Sequence, residues 1–206
     1  MKVACIVMAS GVGKRFGANK LLQDLAGKPL YRWALDAIRP ELFSQVLVVT
    51  GHAPVAAAAA ERGFAVVCND RPEDGVSRTI RMGLQAAGAC DGALFMTADQ
   101  PLLTGETMEK LLAAFLREPD CIHGASHDGV RGNPCLFPWE FFPELMQLQG
   151  DRGGAAVIRR YPERLRHTEV PEEELFDCDT PEALAICREK AAKKSEKYAK
   201  NCLTSI

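Results

Sequence analysis

Thirteen residues near the start of the chain, Met8 to Lys20, carry three glycines and three cations: Lys14, Arg15 and Lys20. They follow Val3-Ala4-Cys5-Ile6-Val7, a short apolar run that reads as a buried central strand. Glycines let the backbone turn sharply and bring its N–H groups to an anion. Ala9, Ser10, Gly11 and Gly13, with the side chains of Lys14, Arg15 and Lys20, therefore read as a cradle for a triphosphate. An ordinary strand-to-helix turn with incidental cations is the bland alternative. A second set of reactive residues is acidic. Asp99 follows the apolar run Ala93 to Thr97 and precedes Pro101, a position suited to holding Mg²⁺. Capping a helix that begins near Thr104 is its alternative role. Asp177 and Asp179 alternate in an extended segment and project to one side. Two carboxylates held together are costly unless a cation lies near them. Asp179 or Thr180 also suits the N-cap of a helix starting at Pro181.

Two common glycine-loop motifs fail on spacing. A P-loop needs Gly five residues before the Gly-Lys pair and Ser or Thr after it, where this chain has Met8 and Arg15. Gly11, Gly13 and Gly17 form G-x-G-x-x-x-G rather than a dinucleotide fingerprint, and no acid closes a strand near Val48-Val49-Thr50. A redox enzyme built on that fingerprint is excluded on the same ground.

The elements that must position these groups alternate in type. Helices are expected from Pro29 to Ile38, Pro54 to Glu61 and Ser77 to Ala87, and strands over Gln45 to Thr50, Phe64 to Cys68 and Ala93 to Thr97. Regular βαβ alternation with short links predicts a single Rossmann-like α/β domain over 1–206, with a mostly parallel central sheet and helices on both faces. Ligands in such folds sit beyond the carboxyl ends of the strands. Residues 1–103 would bind nucleotide, 104–187 would bind an acceptor and complete the metal site, and 188–206 would form a solvated helical tail. Strands are expected over Cys121 to Ser126 and Cys135 to Pro138, either side of a glycine-rich crossing. A helix from Gly150 to about Arg160 would offer its N-terminus to an anion, with Asp151 a candidate N-cap.

A chain of 206 residues that is 47% apolar can bury the core of one domain. Its net charge of −2 and the lack of a basic cluster in the body of the chain argue against general nucleic-acid binding. No apolar run reaches about 18 residues and the first strand starts at Lys2 or Val3, which predicts a cytoplasmic protein without a membrane span. The eight cysteines are scattered without C-x-x-C and read mostly as small buried hydrophobes. His123, His127 and Asp128 imitate a metal site, but the surrounding glycines argue for strand and loop rather than a helical zinc motif.

The opening A-S-G-V-G-K-R-F-G-A-N-K, followed by Leu25-Ala26-Gly27-Lys28-Pro29-Leu30, resembles the MobA-like nucleotidyltransferases. Asp99-Gln100-Pro101 resembles their G-D-Q-P, with Ala98 departing, and Asp177-Cys178-Asp179-Thr180-Pro181-Glu182-Ala183-Leu184 resembles D-x-D-T-P-E-D-L, with Ala183 departing. Within the group, Gly132-Asn133-Pro134-Cys135-Leu136-Phe137 and Gly150-Asp151-Arg152-Gly153 are most similar to the molybdenum cofactor cytidylyltransferases. Ser10, in place of their Ala, and Ala155, in place of a cation, depart from that branch. The resemblance implies transfer of CMP from CTP to the phosphate of molybdopterin carrying molybdenum, with release of pyrophosphate. It implies roles for Asn69, Gly75, Ser77 and Thr79 at the nucleotide, and for Gly132, Asn133, Pro134, Asp151 and Gly153 at the acceptor. Mg²⁺ would be held by Asp99 and Asp179. Lys14 and Arg15 would grip the β- and γ-phosphates, and Lys20 would lie against the α-phosphate. A guanylyltransferase, a sugar-phosphate nucleotidyltransferase, and a noncatalytic chaperone delivering cofactor to a molybdenum hydroxylase are the alternatives.

Overall fold

The computed structural model of the chain describes residues 1–11 and 19–191. Gly13, Lys14 and Arg15, expected to contact phosphate, and the tail beyond Ala191 lie outside the described residues. The elements run in the order β1 (Val3–Met8), a small hairpin of β2 (Asp24–Leu25) and β3 (Lys28–Pro29), α1 (Leu30–Asp36), β4 (Gln45–Thr50), α2 (Ala53–Glu61), β5 (Ala65–Cys68), α3 (Val76–Ala87), β6 (Gly92–Thr97) and α4 (Gly105–Arg117). Then come β7 (Ile122–His127), β8 (Val130–Pro138), α5 (Phe142–Met146), α6 (Ala155–Ile158) and β9 (Leu165–Glu169). Residues 181–191 are helical.

Seven strands form one sheet in the order β5-β4-β1-β6-β8-β7-β9. β5, β4, β1 and β6 are parallel neighbours, β8 runs against both β6 and β7, and β9 is parallel to β7. Alternation along each strand sorts side chains to two faces. Cys5 and Val7 of β1, Val48 of β4 and Met96 of β6 pack with Leu35, Ala58 and Leu111 from α1, α2 and α4. Ala4 and Ile6, Val49 and Phe95 point the other way, against Ile80 and Leu84 of α3, Leu145 of α5 and Val157 of α6. Both faces are thus covered, which is why the central strands read as continuous apolar runs.

Two local expectations need correction. The helix expected from Gly150 to Arg160 contracts to Ala155–Ile158. Gly153 and Gly154 disfavour helix, Gly150 has φ +58°, and the Gly150 carbonyl accepts the Ser77 N–H at 3.1 Å instead of starting a helix. Asp151 is therefore not its N-cap: Gly154 holds that position without a side-chain hydrogen bond. At 179–181 it is Thr180 that caps, its Oγ1 accepting the Ala183 N–H at 3.2 Å.

Candidate active site

β1 and β6 lie side by side and end level, Met8 opposite Thr97. From β1 the chain leaves to one side, toward β4 and β5, and it returns to β6 on the other. That reversal opens a crevice beyond the carboxyl ends of the two strands. Ser10 and Gly11 enter it just past β1, and Asp99 just past β6. Lys20 arrives from a short 3₁₀ turn, Lys20–Leu22, whose first N–H groups are met by Asn19: its Oδ1 accepts from Leu21 N at 3.1 Å.

Lys20 Nζ lies 2.5 Å from Asp99 Oδ2 and 2.6 Å from Asp179 Oδ1. The Lys20 and Asp99 side chains are only 14% and 15% exposed, so the ammonium is largely taken from water. Burial alone lowers its pKa, but Asp99 and Asp179 outweigh that and hold it above the ordinary lysine value. Lys20 stays charged. A third carboxyl, Asp177, is pushed up to about 7, first by burial and then by the neighbouring charges of Asp99 and Asp179. Among the described residues, Asp99 Oδ1 is buried without a hydrogen-bond partner. One ammonium thus faces an excess of carboxylate oxygens, one of them orphaned, and such hard oxygen donors fit a divalent cation.

The second acidic segment reaches Asp99 across some 80 residues of sequence because several bonds stitch it down. Cys178 N donates to the Asp99 carbonyl at 3.0 Å, and Gln100 Nε2 donates to the Leu175 carbonyl at 3.4 Å. Glu174 is buried, and its Oε2 accepts the Thr104 N–H at 2.9 Å, so it serves the orphan donors at the start of α4. Beneath these bonds, Cys178 and Leu184 pack with Leu25, Leu30 and Leu102 in a separate apolar cluster.

Two cavities lie side by side at the crevice. The first, of about 310 Å³, is lined by Ser10, Gly11, Lys20, Gly75, Thr79, Asp99 and Asp151 among others. The second, of about 330 Å³, is lined by Arg131, Gly132, Asn133, Gly153 and Asp177 among others, and both touch Met8, Val76 and Thr97. The sequence-derived groups thus fall largely into two neighbouring chambers. Asp151, expected at the acceptor, instead faces the first. Ala9, Asn69 and Ser77 are buried and absent from both walls. Ala9 N donates to the Val49 carbonyl. Asn69 accepts from Arg71 N and Arg78 Nε and donates to Thr79 Oγ1, while Ser77 Oγ accepts from Arg81. These side chains shape the loop instead of facing the cavity. Pro134 is buried after a cis peptide bond and lines neither chamber.

The two chambers are joined by backbone. Gly75 has φ +88°, and a Cβ there would meet the Gly150 carbonyl group and lie 2.8 Å from Asp151 N. Only glycine permits this approach of the 69–77 loop to the 150–153 loop.

A family model for the MobA-like NTP transferase domain matches residues 5–167. The chain belongs to the MobA-like NTP transferase family. This family member is also 33% identical over 120 residues to the 3-deoxy-manno-octulosonate cytidylyltransferase of Bdellovibrio bacteriovorus, covering 58% of this chain and 48% of that protein. The chain therefore spans about half the length of that relative. It is 29% identical to purine catabolism protein PucB of Bacillus subtilis, covering 89% of this chain and 94% of PucB. Its fold matches that of Rv0371c from Mycobacterium tuberculosis H37Rv, with TM-score 0.79, 24% identity and coverage of 92% and 99%. A manganese complex of Rv0371c matches with TM-score 0.75, 23% identity and coverage of 92% and 99%. The Archaeoglobus fulgidus molybdopterin-guanine dinucleotide biosynthesis protein A matches with TM-score 0.70, 22% identity and coverage of 94% and 100%. The family match ends before Asp177 and Asp179; the fold brings them to the glycine-loop end. Glu174 and Arg131 were not among the expected site residues. Glu174 caps a helix 70 residues away, which no local pattern reveals, whereas Arg131 adjoins the G-N-P motif and was within reach of the sequence.

Proposed function

We propose that this nucleotidyltransferase moves CMP from CTP to the phosphate of molybdopterin carrying its molybdenum. The observation that carries the chemistry is the bridge of Lys20 between Asp99 and Asp179, with Lys20 and Asp99 in the wall of the first chamber and Asp177 in the wall of the second. The triphosphate would occupy the first and the acceptor the second. An acceptor phosphate oxygen attacks the α-phosphorus, a new P–O bond forms, and the bond to the β-phosphate oxygen breaks with its electron pair leaving on pyrophosphate. A phosphate nucleophile is already ionised near neutral pH and needs no general base. The protein's task is then positioning and charge neutralisation. Lys20, held charged by its two carboxylates, offsets negative charge building at the α-phosphate. Lys14 and Arg15 would grip the β- and γ-phosphates with the loop amides. Asp99 and Asp179, with the orphaned Asp99 Oδ1, are the residues that would hold Mg²⁺, whose chemistry is to draw the phosphate oxygens together and neutralise them. Gly132, Asn133 and Gly153 would let the acceptor approach backbone.

The choice of cytidine is supported by the G-N-P-C-L-F and G-D-R-G stretches and by the likeness to a cytidylyltransferase. That relative's sugar-acid acceptor makes a small sugar acid the second reading for the acceptor. The guanine nucleotide is the second reading for the donor, on the likeness to a molybdopterin-guanine dinucleotide protein. Delivery of cofactor to a molybdenum hydroxylase would follow the transfer and is not its substitute, because a chaperone has no use for the Lys20 bridge.

Pyrophosphate release measured separately with CTP, GTP and ATP, in the presence of Mg²⁺ and molybdopterin, tests the reading. Release with CTP alone is expected. Preference for GTP overturns the base assignment, and release with CTP only when a sugar acid replaces molybdopterin overturns the acceptor.

A further inference from the structure

Among the described residues, the second chamber is lined by one permanently charged cation, Arg131, and the fold makes room for it. Arg131 stands on β8, part-buried, with Nη1 donating to the Gly132 carbonyl at 3.1 Å and to Cys135 Sγ at 3.0 Å. It forms no salt bridge among the described residues, and Asp177 on the same cavity is not its partner. Those two contacts use one nitrogen, leaving the Nη2 and Nε donors of the planar fork unspent. An unpaired guanidinium in a partly desolvated wall is a group waiting for an anion.

Two backbone devices put it there. Gly124 pairs with Cys135 and Ser126 with Arg131, so that Ala125 alone opposes Gly132, Asn133 and Pro134. Such a bulge re-aims the side chains beside it, and Arg131 is part of the cavity lining. Gly124 lies under the arginine stem, where a Cβ would stand 2.9 Å from Arg131 Cδ and 3.0 Å from Cγ. The remaining walls include the apolar side chains of Ile80, Phe95, Phe137 and Leu145. A charged fork beside apolar walls in one cavity fits a phosphomonoester carried on an apolar body.

Resting on the proposed transfer, we infer that Arg131 binds the phosphate of the acceptor through the oxygens not engaged in attack, and so selects phosphorylated acceptors over their alcohols. A bidentate, charge-assisted pair with phosphate suits the two free sides of the fork.

Calorimetric titration of phenyl phosphate and of phenol, with and without saturating CTP, into the wild type and the Arg131→Gln and Arg131→Lys variants tests this. Phenyl phosphate should bind the wild type at least about tenfold more tightly than phenol, Arg131→Gln should lose that margin, and Arg131→Lys should keep part of it, as a point charge without the fork. CTP affinity should be unchanged in both variants, which also shows that they are folded. In turnover, Arg131→Gln should raise KM for molybdopterin and leave KM for CTP as it was. Equal affinity of Arg131→Gln and wild type for phenyl phosphate, or no preference of the wild type for it over phenol, overturns the inference. If the wild type releases no pyrophosphate with any nucleotide yet binds phenyl phosphate through Arg131, the anion site stands and the proposed transfer falls.

Discussion

At the scale of single residues the site is a problem in charge. Lys20 sits between Asp99 and Asp179 with Asp177 behind them, and the group is short of positive charge. That shortage is what a cation would correct; burial first, and then the charges of Asp99 and Asp179, raise Asp177 to about 7, above the ordinary carboxylate range. Glycine matters as much as charge at one position. Gly75 occupies a conformation with φ +88° and ψ 178°, and its missing Cβ admits the Gly150 carbonyl group. Gly75→Ala should therefore destabilise the fold by about 1–3 kcal/mol from backbone strain, before the clash is added. It should also raise KM for both substrates, because the loops it joins line both chambers; thermal unfolding and steady-state kinetics together check this. A change in stability without any change in KM would show that the contact is only structural.

At the scale of elements, the apolar runs were legible because central strands buried on both faces have no polar alternation to disguise them: Gln45–Thr50 is a strand with the bounds expected. The helix after Gly150 was misjudged because its anion-binding appearance came from glycines, and those same glycines were needed for contact with the Gly75 loop and with Phe137. A Cβ on Gly154 would lie 2.8 Å from Phe137 Cζ. The expected strand at Cys135 begins earlier, at Val130, because β8 carries a bulge that no residue pattern announces. The capping of α4 by Glu174 is equally invisible to local reading. One strand also carries a pH response. His123 of β7 is 1% exposed, its Nε2–H donates to the Glu118 carbonyl at 2.9 Å, and its Nδ1 has no partner. Burial lowers its pKa below the ordinary 6.5. The unfolded chain then takes up a proton that the folded chain refuses, so this contribution to stability is complete above about pH 6.5 and is lost as pH falls through the depressed value. His123→Phe, which keeps the edge contact with Phe115, should flatten the fall of Tm between about pH 6.5 and 5. An unchanged pH slope would contradict the assignment of a neutral imidazole.

At the scale of the whole molecule, one sheet reversal explains where everything lies. The parallel order β5-β4-β1-β6 puts the glycine-loop end and Asp99 at a single crevice, and antiparallel β8 brings the G-N-P segment up to its far side. The last acidic motif belongs to no strand; it is tied over the crevice by Glu174, Gln100 and the Cys178 amide. Among the described residues no helix is long and apolar enough to cross a membrane. The sequence motifs lie around one crevice, while the burial of Asn69 and Ser77 behind its wall and the placement of Asp151 on the first chamber depend on the packing of loops. The proposed transfer takes place at the Lys20–Asp99–Asp179 cluster. Its most direct test is the rate of pyrophosphate release from CTP, Mg²⁺ and molybdopterin by Asp99→Ala beside the wild type, with circular dichroism to verify the fold. A folded variant slower by about 100-fold or more is predicted, since the change removes both a partner of Lys20 and a carboxylate of the proposed cation site. A folded variant with near-normal release would contradict the account.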